Sequence, residues 1–149
     1  MKIAFDTNVL LDAIAERGAY RDAQALVMAV ANEKVEGVIS ANSITDIYYI
    51  LRKRIGDEKA RKAIWNLMAI FEIASVDAEI CATALGTPMK DFEDAVLAVC
   101  AKASGAALVV TGDKGFLEDR NAPIAVRTVR AGLETIGMNG DAAVHDGRD

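Results

Sequence analysis

The sequence predicts an α/β domain: a parallel sheet of four to five strands with helices on both faces. Three observations lead there. Short apolar runs alternate with longer segments whose apolar residues recur at helical spacing. The run Ala106–Val110 is apolar throughout, as a strand covered on both faces must be. Polar turn residues stop the runs, Asp6-Thr7-Asn8 after the first and Thr111-Gly112-Asp113 after the fourth.

Lys2–Phe5 is the first strand. Val9–Glu16 and Arg21–Asn32 are helical in pattern, with a break near Gly18. Val38–Ser40 reads as the second strand, and Asn42 or Ser43 can cap the helix behind it. In that helix Ile44, Ile47, Tyr48, Leu51 and Ile55 keep to one face. Gly56-Asp57 separates it from a helix over Arg61–Ile70. Phe71–Val76 is the third strand, and Asp77–Leu85 a helix stopped by Gly86 and Pro88. Asp91–Ala103 carries the clearest helical stripe, from Phe92 through Ala95, Val96, Val99 and Cys100 to Ala103. Ile124–Thr128 is the fifth strand, followed by a short helix near Gly132–Ile136. The polar end from residue 137 to 149 has little to bury and is expected to be a flexible tail behind one domain over 1–136.

Composition narrows the function. The chain has 149 residues, 52% of them hydrophobic, and a net charge of −5. A core is affordable at that apolar fraction, and disorder is excluded. Coating nucleic acid through bulk positive charge is excluded too. No apolar run is long enough for a membrane span, and Asp6 interrupts any signal peptide, so a cytoplasmic location is expected. Cys81 and Cys100 then read as reduced, buried thiols. The only histidine, His145, lies in the polar end, so chemistry built on histidine is a poor fit. Carboxylates remain.

Asp6 and Asp113 follow parallel strands and so emerge at the same edge of the sheet. Asp46 and Asp94 lie near the starts of helices that begin at that edge. Four aspartates are therefore expected to converge on one crevice. Two like charges about 4 Å apart repel by roughly 4 kcal/mol at an effective dielectric near 20. Such acids either hold protons or share a divalent cation, and an oxygen-only set suits Mg2+ or Mn2+. Metal-assisted phosphodiester hydrolysis is the reaction this set suits. Each acid also has a plain reading: Asp6 as a helix cap, Asp94 as a partner of the helix dipole, Asp46 as a solvated residue, Asp113 as a turn residue. Their joint placement carries the functional case.

At these residues the sequence resembles the PIN-domain ribonucleases, including the VapC-type toxins of toxin–antitoxin pairs. Ile3-Ala4-Phe5-Asp6-Thr7-Asn8-Val9-Leu10 resembles the family's first motif, and the stretch Ser40–Tyr49 around Asp46 resembles the second. Asp91-Phe92-Glu93-Asp94-Ala95 is similar to the third, and Val110-Thr111-Gly112-Asp113 to the fourth. The resemblance implies a three-layer α/β/α fold and a magnesium- or manganese-dependent endoribonuclease. By position Asp6, Asp94 and Asp113 would hold the metal, with Asp46 in the family's second acidic place, where glutamate is usual. Thr7, Asn8 and Thr111 would supply hydrogen bonds that hold the carboxylates, and Asp91 is favoured as a helix cap over a metal ligand. It also implies an RNA substrate, an antitoxin partner and a homodimer, which the apolar surplus permits.

Substrate contacts are sparser. Arg52-Lys53-Arg54 with Lys59, Arg61 and Lys62 is the one dense basic stretch, and reads either as an RNA-binding face or as a solvated helix. Lys114, beside Asp113, is the better-placed phosphate contact. Tyr48 shares the apolar stripe while Tyr49 points elsewhere, toward a groove; Trp65 and Met68 are expected in the interior or on a dimer face. Two other functions compete. A haloacid dehalogenase-like phosphatase also ends its first strand on an aspartate, but wants a second acid where Asn8 stands. A non-catalytic module that binds RNA or protein would keep the fold without the chemistry.

Overall fold

The computed structural model describes residues 1–138, and all but the first two residues of the tail expected over 137–149 lie outside them. Five strands form one sheet in the order β3-β2-β1-β4-β5: β1 (Lys2–Phe5), β2 (Glu36–Ser40), β3 (Glu72–Ala74), β4 (Leu108–Val110) and β5 (Ala125–Arg127). Every pairing is parallel. The strands are linked through α1 (Thr7–Ala15), α2 (Tyr20–Ala31), α3 (Ala41–Ile55), α4 (Asp57–Ile70), α5 (Ala78–Leu85), α6 (Phe92–Ala103) and α7 (Lys114–Glu118), and α8 (Val129–Thr135) follows β5.

The two-residue period of a strand divides the core in two. Ile3, Phe5, Ile39, Leu108 and Val110 face one side, against Leu10 and Leu11 of α1, Leu26 of α2, Ile47 and Leu51 of α3, Leu67 of α4 and Leu133 of α8. Ala4, Val38, Val109 and Val126 face the other side, against Leu97, Ala98 and Ala101 of α6 and Phe116 of α7. This is a three-layer α/β/α arrangement. Among the described residues no helix is long and apolar enough to cross a membrane.

Close approach explains Gly37 in β2. A Cβ there would sit 2.5 Å from the Phe71 ring, which is held edge-on against Phe5 at a centroid distance of 5.0 Å. With both rings buried, neither can retreat cheaply. Gly37→Ala is expected to destabilise the protein by about 1–3 kcal/mol, read from urea unfolding.

Several boundaries differ from the sequence reading. Ser40, rather than Asn42 or Ser43, is the N-cap of α3, because β2 passes directly into the helix. The α4 helix begins at Asp57, four residues before Arg61, since Gly56 at φ 86 turns the chain without a loop. Trp65 is not interior: it is 71% exposed, and Met68 is exposed beside it, because α4 turns Ala60 and Leu67 inward instead. Both cysteines are free, Cys100 buried and Cys81 only partly so. Met138, beyond the expected domain limit, packs against the core, and its N–H donates to the Leu133 carbonyl at 2.8 Å.

The strand order makes the site. From β1 the chain runs outward through β2 to β3, then returns to add β4 and β5 on the opposite side. Connections therefore diverge between β1 and β4, leaving a crevice at their carboxyl ends. Asp6 follows β1 directly, and Thr111 and Asp113 follow β4.

Candidate active site

Asp6 is the N-cap of α1 and is held from two sides. The Thr7 backbone N–H donates to its Oδ1 at 2.8 Å, and the Thr111 hydroxyl donates to its Oδ2 at 2.7 Å. Burial nevertheless pushes its carboxyl above the ordinary range; the two hydrogen bonds pull it back, and the charges of Asp113 and Asp91 push it up again. Thr111 is fully buried, and its Oγ1 also accepts from the Asp113 backbone N–H at 3.0 Å. One hydroxyl thus ties the turn after β4 to the carboxylate after β1.

Asp113 caps α7, accepting from the Gly115 N–H at 3.4 Å, and is exposed. Asp91 caps α6 by accepting the Asp94 N–H at 3.0 Å, as favoured from the sequence. Asp94 stands in the first turn, half-buried. Its carboxyl is pushed up to about 7, first by burial and then by Asp91, Asp6, Asp113 and Glu93. Asp46, one turn into α3, is exposed and lines the same space.

These residues bound an open crevice of about 530 Å³. Among the described residues six carboxylates line it, those of Asp6, Asp46, Asp91, Glu93, Asp94 and Asp113, with Thr7, Asn8, Ser40, Asn42, Ser43, Tyr49, Ile50 and Leu97, and no cationic side chain. Glu93 was not singled out in the sequence. Burial and the charges of Asp46, Asp91 and Asp6 raise its carboxyl. Three acids within four residues at a helix start were the available signal. The α1, α3 and α6 helices all begin at the crevice, and their positive ends offset part of the repulsion.

All four predicted acids therefore reach one crevice, but they do not form a preassembled cage. Among the described residues no three His, Cys, Asp or Glu side chains converge as a metal-binding group. The donor chemistry still fits a hard divalent cation: oxygen ligands only, several of them uncompensated, with carboxyls raised as crowded acids are without a counter-charge.

The remaining sequence candidates divide. Thr7 contributes its backbone N–H, while Asn8 lines the crevice without a hydrogen bond to a carboxylate among the described residues. Arg52, Lys53 and Lys114 are exposed and do not line the crevice. Lys114 points along α7 toward Glu118 at 3.9 Å, and Arg61 of the basic stretch is engaged by Asp57.

The PIN domain family matches residues 2–115, which hold every one of these acids. The chain belongs to the PIN-domain family. It is 34% identical to Ribonuclease VapC1 of Aquifex aeolicus over 122 residues, 77% of this chain and 83% of that protein. Solved structures share the PIN-domain fold at lower identity. VapBC2 from Rickettsia felis, bound to a DNA fragment from its promoter, superposes with a TM-score of 0.63 at 20% identity, covering 86% of this chain and 98% of that one. VapC20 of Mycobacterium tuberculosis, a sarcin-ricin loop cleaving toxin, gives 0.61 at 16% identity, covering 76% and 92%. Against the PIN-domain pattern, the position the phosphatase alternative required to be acidic is Asn8, exposed at the crevice rim.

Proposed function

We propose that this PIN-domain protein is an endoribonuclease hydrolysing RNA phosphodiester bonds with Mg2+ or Mn2+, and the toxin of a toxin–antitoxin pair. The observation that carries it is the gathering of Asp6, Asp46, Asp94 and Asp113 at the divergence of β1 and β4, in a chain similar to a ribonuclease over most of both lengths. In the reaction, water oxygen bonds to phosphorus and one phosphorus–oxygen bond to a ribose breaks, leaving a phosphate monoester and a hydroxyl. A divalent cation would neutralise the phosphate and acidify the attacking water. Asp6, Asp94 and Asp113 would hold that cation, Asp46 would orient water across the crevice, and Thr111 would fix Asp6. Lys53 lies seven residues beyond Asp46 on α3, hence on the same helix face, and with Arg52 and Lys114 would meet phosphates outside the crevice.

The VapBC relatives are toxin–antitoxin complexes, which supports a small antitoxin as the partner of this chain; a homodimer is proposed as its own assembly. Two free thiols accord with work in the cytoplasm. Digestion of RNA by the purified chain is the test. Cleavage should need added Mn2+ or Mg2+, stop with EDTA and return with excess cation. Binding of RNA without turnover under saturating Mn2+ would favour the non-catalytic module.

Cation binding should also show in stability. Asp94 is raised to about 7 in the folded chain, against an ordinary value of 3.8 when unfolded. Between these values the folded state holds a proton that the unfolded state has lost. Stability without cation therefore falls as pH rises from about 4 to about 7. A bound cation removes that penalty. At a concentration a hundred times its Kd at pH 8, Mn2+ is expected to raise Tm by roughly 5–10 °C near pH 8, and the same concentration should raise it by clearly less at pH 5. Equal shifts at both pH values would contradict binding at Asp94.

A further inference from the structure

We propose that Tyr49 is the base-stacking wall of the crevice, offering its ring to one unpaired RNA base beside the acids, and that Tyr48, Asp57 and Arg61 hold that ring in position. This rests on the ribonuclease reading and deepens it. An exposed tyrosine alone would mean little, but Tyr49 differs in its place and in its bracing. It is 57% exposed, yet it lines the acidic crevice together with Ile50. Its ring meets Tyr48 edge-on, with centroids 4.9 Å apart and planes at 74°.

Tyr48 is itself anchored. Its ring packs partly against the core, and its hydroxyl donates to Asp57 Oδ1. The Arg61 Nε–H donates to both Asp57 oxygens, at 3.1 and 3.0 Å, and its guanidinium carbon stands 5.6 Å from the Tyr48 ring centroid. The chain of contacts runs from α4 through Tyr48 to the crevice wall. A platform held this way loses little freedom when a base lands on it.

Charge explains why such a platform is needed. Among the described residues no cationic side chain lines the crevice, so a polyanion would be drawn into it only through a bound cation. Stacking supplies affinity that acidic neighbours do not oppose and that any base can satisfy. It also requires a base turned out of a helix, so the wall selects single strands and loops over duplex. Tyr49 is on this account a binding residue, and Tyr48 a positioning residue.

The test is steady-state cleavage of a short single-stranded RNA by the full chain with Mn2+, with an abasic residue walked along the strand. Tyr49→Ala should raise KM by about ten- to a hundredfold with kcat nearly unchanged, and by the same factor at low and high salt. Tyr49→Phe should keep the parent KM, and Tyr48→Phe, whose ring is released from Asp57, should raise it by less than Tyr49→Ala. One abasic position should weaken the parent but not Tyr49→Ala. Parent-like KM in Tyr49→Ala, or an abasic penalty undiminished in that variant, would overturn the proposal and leave the nuclease standing. A Tyr49→Ala loss that follows a changed oligomeric state would overturn it in favour of a protein contact. A parent that neither binds nor cuts RNA would overturn both readings.

Discussion

RNA cleavage by the Asp6→Asn and Asp94→Asn variants is expected to fall by more than about a hundredfold, exceeding the loss typical of residues one step removed from a metal. Asparagine has nearly the same shape as aspartate and is an equally good helix cap. At position 6 it can still accept the Thr7 N–H, and its amide can donate to the Thr111 oxygen. What disappears is the charge. Both carboxyls are raised by burial and by other acids, so charge at either position opposes folding when no cation is present. The same variants should therefore melt no lower than the parent in EDTA, and higher near pH 8, while losing the upward shift with Mn2+. Stability and activity move in opposite directions at a site whose charges are kept for function. Calorimetric melting beside a cleavage assay reads both. Inactive variants that also melt much lower in EDTA would point to a structural role instead.

Thr111→Val should give the second large effect, through a residue that need not touch cation or RNA. The hydroxyl donates to Asp6 and accepts from the Asp113 N–H inside a fully buried side chain. Valine fills the space and removes both bonds, leaving Asp6 Oδ2 short of a donor and the Asp113 N–H short of an acceptor. Activity is expected to fall about 10–100-fold, with weaker Mn2+ affinity. Stability should fall by about 1–3 kcal/mol. Thr111→Ser keeps the hydroxyl and should restore most of the activity. A valine variant as active as the parent, or a serine variant as impaired as valine, would contradict the role given to the two hydroxyl bonds.

Much of this site was legible before any coordinates, for one reason. A parallel sheet delivers every strand end and every following helix start to the same edge, so Asp6, Asp46, Asp94 and Asp113 could be placed together without knowing the strand order. Thr111 was legible as a neighbour of Asp113, but its link to Asp6 spans 105 positions and depends on β1 pairing with β4. The α7 helix was missed because five residues are too few to show a period. Glu93 was hidden by its neighbours, since acids in a first helical turn are ordinary and only the opposing Asp46 gives this one a setting. The surfaces were read least well. Whether Trp65 or Leu67 faces inward depends on how α4 packs on α3 and the sheet, and helical spacing permits either.

A crystal soaked in Mn2+ and measured at an anomalous wavelength tests the central assertion most directly. A single strong peak between Asp6 and Asp94, within ligand distance of at least one of them and absent in Asp94→Asn, is the expected result. A well-ordered crevice without that peak, in crystals that take up Mn2+ elsewhere, would contradict it.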